Sequence, residues 1–226
     1  MPSEFWQTLL ITFKLAATTT CFLLIIGIPI SFYLSNTKSK LKPVLETFIS
    51  MPLVLPPTVL GFYLLLSLSP DSMIGSWLER TFDLRLVFSF AGLVVGSIIY
   101  SLPFMIHPIQ SGFENLPRNF SEASYTLGKS KLETIFRVLL PNMKPSLLTG
   151  IVLSFAHTVG EFGVVLMLGG NIPGETKVAS IAIYDEVEAL NYTVANQYAL
   201  TLFFFSFFVL ILVYTINGRD IKANKF

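Results

Sequence analysis

The stretch 116–145 reads LPRNFSEASYTLGKSKLETIFRVLLPNMKP. It is too polar to cross a bilayer, yet long apolar runs lie on both sides of it. Two short amphipathic helices account for it. Asn119 is a good N-cap with Glu122 three residues on, and Ser130 is another with Glu133 three residues on. Each pair has the form of a capping box, in which the cap side chain and the acid satisfy orphan backbone donors reciprocally. Gly128 lies between them, where a left-handed helix terminator is expected, and Pro141 is expected to stop the second helix. Each helix carries an apolar stripe at helical spacing: Phe120, Ala123, Ser124 and Leu127, then Leu132, Ile135, Phe136 and Leu139. Such a pair is either a docking element for another protein or a surface-lying re-entrant loop. Physical chemistry alone leaves the two even.

The runs around it supply the solvent argument. Of the 226 residues, 53% are hydrophobic and 13% charged, against about 25% charged in an average soluble domain. A single soluble core could not bury that much apolar surface, so the expected solvent is a bilayer. The net charge of +1 offers no nucleic-acid footprint. Cys21 is the one cysteine, which excludes an intrachain disulfide. A span needs about 20 mostly apolar residues, and five stretches qualify: 8–34, 44–69, 86–108, 146–168 and 197–216. No sixth is visible. The N-terminus has no basic run before its apolar stretch, which is too long for a signal sequence, so it is expected to remain as the first span. Lys38, Lys40, Lys42, Arg118, Lys129, Lys131, Arg137, Lys144, Arg219, Lys222 and Lys225 fall on one side. Arg80, Arg85 and Lys177 fall on the other. The bias predicts the N-terminus outside and the C-terminus in the cytoplasm. With no repeat or linker, residues 1–226 form one expected membrane domain. The outer loop 171–192, with Asp185, Glu186 and Glu188, is expected to hold a short helix.

Two interior stretches stand out. Residues 51–61 read MPLVLPPTVLG, where Pro52, Pro56 and Pro57 break the hydrogen-bond ladder just before Thr58. Freed backbone at membrane depth is tolerated only against protein or a wet cavity, so this is a kink beside a path or a structural kink at a helix interface. In the fourth span Gly150, Ser154, His157 and Glu161 form a small and polar stripe. Ionisable groups inside a span are functional candidates. The alternative is a satisfied polar pair at a helix or dimer interface, favoured for Glu161 because a carboxylate repels anions. Its expected partner is His157 or Lys14. His107, before Pro108, is read as interfacial. Residues 123–130, ASYTLGKS, fit a relaxed phosphate-loop pattern, but no strand precedes them and they hold one glycine, so nucleotide binding is rejected. No His, Cys or carboxylate cluster has metal-ligand spacing, so no metal site is expected. Sequons at Asn119 and Asn191 are short enough to arise by chance.

Glu122-Ala123-Ser124, then Gly128, Val138 and Leu140-Pro141 at their spacings resemble the EAA loop of importer permeases, with Ser124 in place of the second alanine and Val138 in place of isoleucine. Residues 52–57, PLVLPP, with Gly160-Glu161-Phe162-Gly163 and Asn171-Ile172-Pro173-Gly174-Glu175-Thr176, resemble the molybdate permeases and, less fully, the sulfate permeases of the molybdate, tungstate and sulfate importer family, over nearly the whole chain. The resemblance implies an all-α polytopic bundle of the type I ABC importer permease fold in a bacterial or archaeal cell membrane. It implies that residues 116–145 couple to a cytoplasmic ATPase, which binds ATP and Mg, with no cofactor in this chain. The implied partners are a second permease copy, two ATPase subunits and an external substrate-binding protein. The implied activity is alternating-access import of molybdate, with tungstate and sulfate or thiosulfate as alternatives. An ATPase-independent channel or secondary transporter is the reading from another class, disfavoured by the coupling-type loop and the lack of an inverted repeat. A membrane-embedded enzyme would need a catalytic cluster beyond His157 and Glu161.

Overall fold

A computed structural model describes residues 2–223, and every regular element among them is helical. In chain order these are α1 (Pro2–Asn36), α2 (Lys42–Val54), α3 (Pro57–Leu68), α4 (Met73–Phe82), α5 (Phe90–Asn115), α6 (Asn119–Thr126), α7 (Lys131–Thr134), α8 (Leu140–Asn142), α9 (Lys144–Val159), α10 (Gly163–Gly169), α11 (Ala179–Glu188) and α12 (Tyr192–Ala223). A π turn, Ile135–Leu139, joins α7 to α8. By length and composition α1, α5 and the Tyr192–Ile211 part of α12 can each cross a membrane, and two bent helix pairs bring the number to five.

The bundle is centred on α1, α5 and α9. Small residues let these helices approach closely, as in membrane bundles generally. A Cβ on Gly27 would lie 2.8 Å from Met105 Cγ, and one on Gly150 would lie 3.1 Å from the Met105 carbonyl oxygen. Ser31 donates to the Ile106 carbonyl at 3.1 Å, tying α1 to α5. One apolar core holds Leu23, Met105, Ile109 and Phe113 together with Ile135, Leu139, Leu140 and Met143. The segment between α7 and α9 is therefore rooted in the bundle rather than lying loosely on it. At the periphery, Phe203, Phe204, Phe207 and Phe208 of α12 are exposed, as lipid contact allows.

The ends of the helices sort as the Lys and Arg bias requires. Lys42 at the start of α2 meets Glu114 at the end of α5, 3.1 Å apart. At the opposite end Glu4 of α1 lies 3.7 Å from Lys177, and Phe5 packs on Tyr198 of α12. The outer loop contains the expected short helix, α11. Lys225, counted above toward the inner side, lies outside the described residues.

Two of the expected spans are not single helices. The stretch 44–69 is divided into α2 and α3, which meet at 112°. Pro56 and Pro57 donate no N–H, and Leu55 before them is extended at φ −70°, ψ 135°, as a residue preceding proline is driven to be. The stretch 146–168 is divided at Gly160–Phe162, where α9 ends and α10 begins. Phe162 sits at φ −126°, ψ −59°, outside helical geometry.

Candidate functional site

The two helix breaks meet. A Cβ on Gly163 would lie 2.7 Å from Pro57 Cβ and 3.0 Å from the Thr58 nitrogen. A Cβ on Gly61 would lie 2.9 Å from Met167 Cβ and 3.1 Å from Val164 Cα. The backbones of α3 and α10 thus touch where only glycine fits. Beside this contact is a cavity of about 410 Å³, lined by Pro57, Thr58, Tyr100, His157, Gly160, Glu161 and Phe162 among others. Pro57, Thr58, His157 and Glu161, which the sequence singles out from two distant stretches, share this one space. Pro56 is exposed and Ser154 is fully buried, and neither lines it.

His157 is held by α5. Its Nδ1 lies 3.0 Å from Ser101 Oγ, which lies 3.1 Å from Thr158 Oγ1. Its ring stacks on Phe104 at 4.1 Å and tilts against Tyr100 at 4.7 Å. The expected pairing of Glu161 with His157 or Lys14 is not found. The stacking and Ser101 turn the imidazole toward α5, and the Lys14 ammonium sits over the Phe90 ring at 4.6 Å. Glu161 is 3% exposed. Its carboxylate faces Ser97 without a well-formed hydrogen bond among the described residues. Its main-chain carbonyl instead accepts a 2.5 Å bond from Ser180 of α11.

On the cytoplasmic side the capping logic holds at one helix and fails at the other. Ser130 and Glu133 form the full capping box, with Glu133 N–H on Ser130 Oγ at 3.2 Å and Ser130 N–H on the Glu133 carboxylate at 3.3 Å. Asn119 is not a cap. Arg118 takes that position without a side-chain bond, and Asn119 is the first helical residue. Gly128 adopts φ +74°. Lys129 N–H reaches the Ser124 carbonyl and Gly128 N–H the Tyr125 carbonyl, the bonding pattern of a Schellman terminator. A Cβ at Gly128 would meet nothing within 4 Å, so the cost of Gly128→Ala is conformational alone. It should destabilise the permease by about 1 kcal/mol, read as a lower thermal unfolding midpoint.

Pro141 does not stop the second helix where expected. It lies inside α8, and the helix yields before it instead. Proline offers no N–H and crowds the carbonyl four residues back, and the π turn relieves this by letting Leu140 N–H bond Ile135. The two predicted stripes also split. Ser124, Ile135, Leu139 and Leu140 are buried, and Ser124 Oγ bonds Thr134 Oγ1 at 2.8 Å across the helix pair. Ala123 and Glu122 are exposed, as is Pro141. Leu127 is 78% exposed, Leu132 67% and Phe136 58%, forming an apolar outer surface.

The outer motif is a preformed turn. Asn171 donates to Asp185 at 2.9 Å. Gly174 adopts φ +79°, and Pro173, Gly174 and Glu175 are exposed at the tip. Thr176 is fully buried and donates to the Gly169 carbonyl at 2.6 Å. Lys177 pairs with Asp185 at 3.1 Å. Partial burial alone would lower its pKa, but the bond to Asp185 outweighs that and holds it above the ordinary lysine value. The tie is therefore fully present at neutral pH and is lost only as pH rises through the raised value.

Sequence reasoning missed what α5 brings to α2 and to the cavity. Gln110 donates to Glu46 at 2.7 Å and to Glu114 at 3.1 Å, and Ser50 bonds His107 at 3.0 Å. Tyr100, Ser97 and Ser101 were equally unmarked. Their signal was present as polar residues on one face of a span, but each is common in apolar helices. Among the described residues no three His, Cys, Asp or Glu gather as a metal site.

A family model described as "Binding-protein-dependent transport system inner membrane component" matches residues 24–219. The molybdenum transport system permease protein ModB of Azotobacter vinelandii is 45% identical, covering 95% of this chain and 94% of that protein. The putative molybdenum transport system permease protein YvgM of Bacillus subtilis is 33% identical, covering 93% of each. The sulfate transport system permease protein CysT of Escherichia coli K12 is 28% identical, covering 92% of this chain and 75% of that protein. Among solved structures, the inward-facing MetNI methionine ABC transporter superposes with a TM-score of 0.70 at 17% identity, over 97% of this chain and 95% of that one. A bacterial importer of the polysaccharide alginate superposes with a TM-score of 0.75 at 17% identity, over 98% and 80%. These structures share the fold, that of type I ABC importer permeases. The chain is a multi-pass membrane protein that belongs to the binding-protein-dependent transport system inner membrane components, in the branch that holds the molybdenum transport permeases.

Proposed function

We propose that this chain is the non-catalytic membrane subunit of an ATP-driven importer and that it carries a tetrahedral oxyanion, molybdate foremost, by alternating access. The observation that carries the reading is the meeting of two broken helices at one cavity that holds Thr58, Tyr100 and His157. Broken backbone at membrane depth is tolerated only beside protein or water, and here both breaks border the same space. At about 30 Å³ of liquid volume per water, a cavity of about 410 Å³ has room for an anion with part of its hydration shell. Thr58, Tyr100 and His157 offer hydrogen-bonding groups and no Lys or Arg lines the cavity; Glu161 also borders it, but both of its carboxylate oxygens are buried away from the open space. An anion held by hydrogen bonds without a fixed cation is released readily, as a path requires. Selectivity would then rest mainly on the external binding protein.

The apolar outer surface of Leu127, Leu132 and Phe136 suits docking into a separate ATPase, which would bind ATP and Mg. Ile135, Leu139 and Leu140 root that surface in the bundle core, so a displacement of the docked element reaches α1 and α5. Glu46, Thr47 and Ser50, with Pro43, Met51 and Val54 between them, line an open concavity on α2. A carboxylate on such a face is costly in lipid, which supports a second permease copy covering it and a shared path down the middle.

Molybdate rests on the relatives in Azotobacter and Bacillus. The sulfate permease relative keeps sulfate as the second reading, with tungstate and thiosulfate beside it. The test is uptake of labelled molybdate, tungstate and sulfate by the complete assembly in proteoliposomes. Molybdate uptake that needs both ATP and the binding protein is expected. Flux that persists without the ATPase would replace this reading with a channel or secondary transporter.

A further inference from the structure

Resting on the reading as an importer permease, we infer that Ser180 and Thr176 are positioning residues that clamp α10 at its two ends, and that the turn between them and Asn171 is the handle by which an external protein releases the clamp. α10 is seven residues long and forms one wall of the cavity region through its contact with α3. A helix that short has almost no stability of its own; its packing on α3 and α5, where Val164, Val165 and Leu168 are buried, and the bonds at its two ends together set its position.

Both ends are held from the outer loop. At the start, Ser180 Oγ donates to the Glu161 carbonyl at 2.5 Å, fixing the break from which α10 begins. At the finish, Thr176 Oγ1 donates to the Gly169 carbonyl at 2.6 Å and accepts from Ile172 N–H at 3.0 Å. The two hydroxyls lie on one unit. Ser180 is in the first turn of α11, whose Ala179 N–H bonds Thr12 of α1 at 2.8 Å, and α11 carries the Asp185 that binds both Asn171 and Lys177.

The handle is rigid and open to solvent. The N–H groups of Glu175, Thr176 and Lys177 all converge on the Ile172 carbonyl, at 3.2, 2.9 and 3.0 Å. Pro173, Gly174 and Glu175 project from that knot, and a Cβ on Gly174 would meet nothing within 4 Å. Glu175 is exposed at the tip without a cation beside it among the described residues, and Lys177 is taken up by Asp185. The surface fits a soluble extracellular protein with basic or amide donors at its rim. A pull on the turn shifts Thr176 and, through α11, Ser180. Both ends of α10 then move, and with them the Gly163 contact on Pro57 and Thr58 that borders the cavity.

The test uses the complete assembly in proteoliposomes, with ATP hydrolysis measured with and without the anion-loaded binding protein. Ser180→Ala and Thr176→Val should each raise hydrolysis without the binding protein by about five-fold, the weight of one hydrogen bond in a two-state balance. Each should shrink the stimulation by a similar factor, and Ser180→Thr, which keeps the hydroxyl, should restore the wild-type ratio. Glu175→Lys should raise the half-saturating concentration of binding protein about ten-fold. The proposal is overturned if the two clamp variants leave the ratio of stimulated to unstimulated hydrolysis unchanged, including by lowering both equally, or if Glu175→Lys leaves half-saturation where it was. A wild-type assembly that neither imports anion nor responds to the binding protein overturns the importer reading itself, and this inference with it.

Discussion

Gly163→Val abolishes anion uptake, with a fall of at least about a hundred-fold expected in proteoliposomes. The added Cβ would start 2.7 Å from Pro57 Cβ, 3.0 Å from the Thr58 nitrogen and 3.1 Å from the Pro57 carbonyl carbon. Two of those three neighbours are backbone atoms at a proline-fixed break, so no rotamer change makes room. Either α10 swings away from α3 or α3 is displaced into the cavity. Overpacking of this kind costs about 1–3 kcal/mol of stability, which a membrane bundle can survive. The loss should therefore appear in transport before it appears in expression or thermal stability. Gly150→Val provides the contrast. It presses on the Met105 carbonyl at 3.1 Å, away from the cavity, and should lower stability in step with activity.

The second large effect concerns the outer surface of the cytoplasmic helix pair. Leu127→Asp should weaken binding of the ATPase subunit by about thirty-fold or more, the range of a buried apolar anchor at an interface. Leu127 is 78% exposed and makes no contribution to the bundle core. The permease itself should remain folded and monodisperse, and the change should be visible as loss of the ATPase from a pull-down. The same substitution at Leu139, 6% exposed in the core, should instead unfold the segment. If Leu127→Asp left the complex intact, the docking role of this surface would be withdrawn.

Much of this architecture was legible in the residues because the signals are local. Ser130, Glu133 and Gly128 state the second helix start and the first helix end through hydrogen bonds that span six residues at most. The prolines at 56 and 57 announce their break because they remove donors outright. Other features were hidden for equally physical reasons. Residues 146–168 are apolar enough to pass for one span, and their polar stripe keeps helical spacing as far as Glu161, so the break at Gly160–Phe162 leaves no mark in the sequence. Nothing local tells that Ser180, nineteen residues on, will bond the Glu161 carbonyl. Asn119 resembles a cap in sequence, yet the helix begins one residue earlier because Pro117 and Arg118 already supply its first carbonyls. The apolar stripes were found, but which members face the bundle depends on α1 and α5. The pairing of Gln110 with Glu46, sixty-four residues apart, is a product of packing that no window along the chain contains.

If the space beside Pro57, Thr58 and His157 lies on the anion's route, a thiol placed there will report it, in a chain freed of its one cysteine, Cys21→Ser with Thr58→Cys, with the reconstituted assembly treated with a small anionic thiol reagent. The reagent should reach position 58, molybdate should slow the labelling, and labelled protein should no longer import. Complete labelling with uptake at the unmodified rate would contradict it.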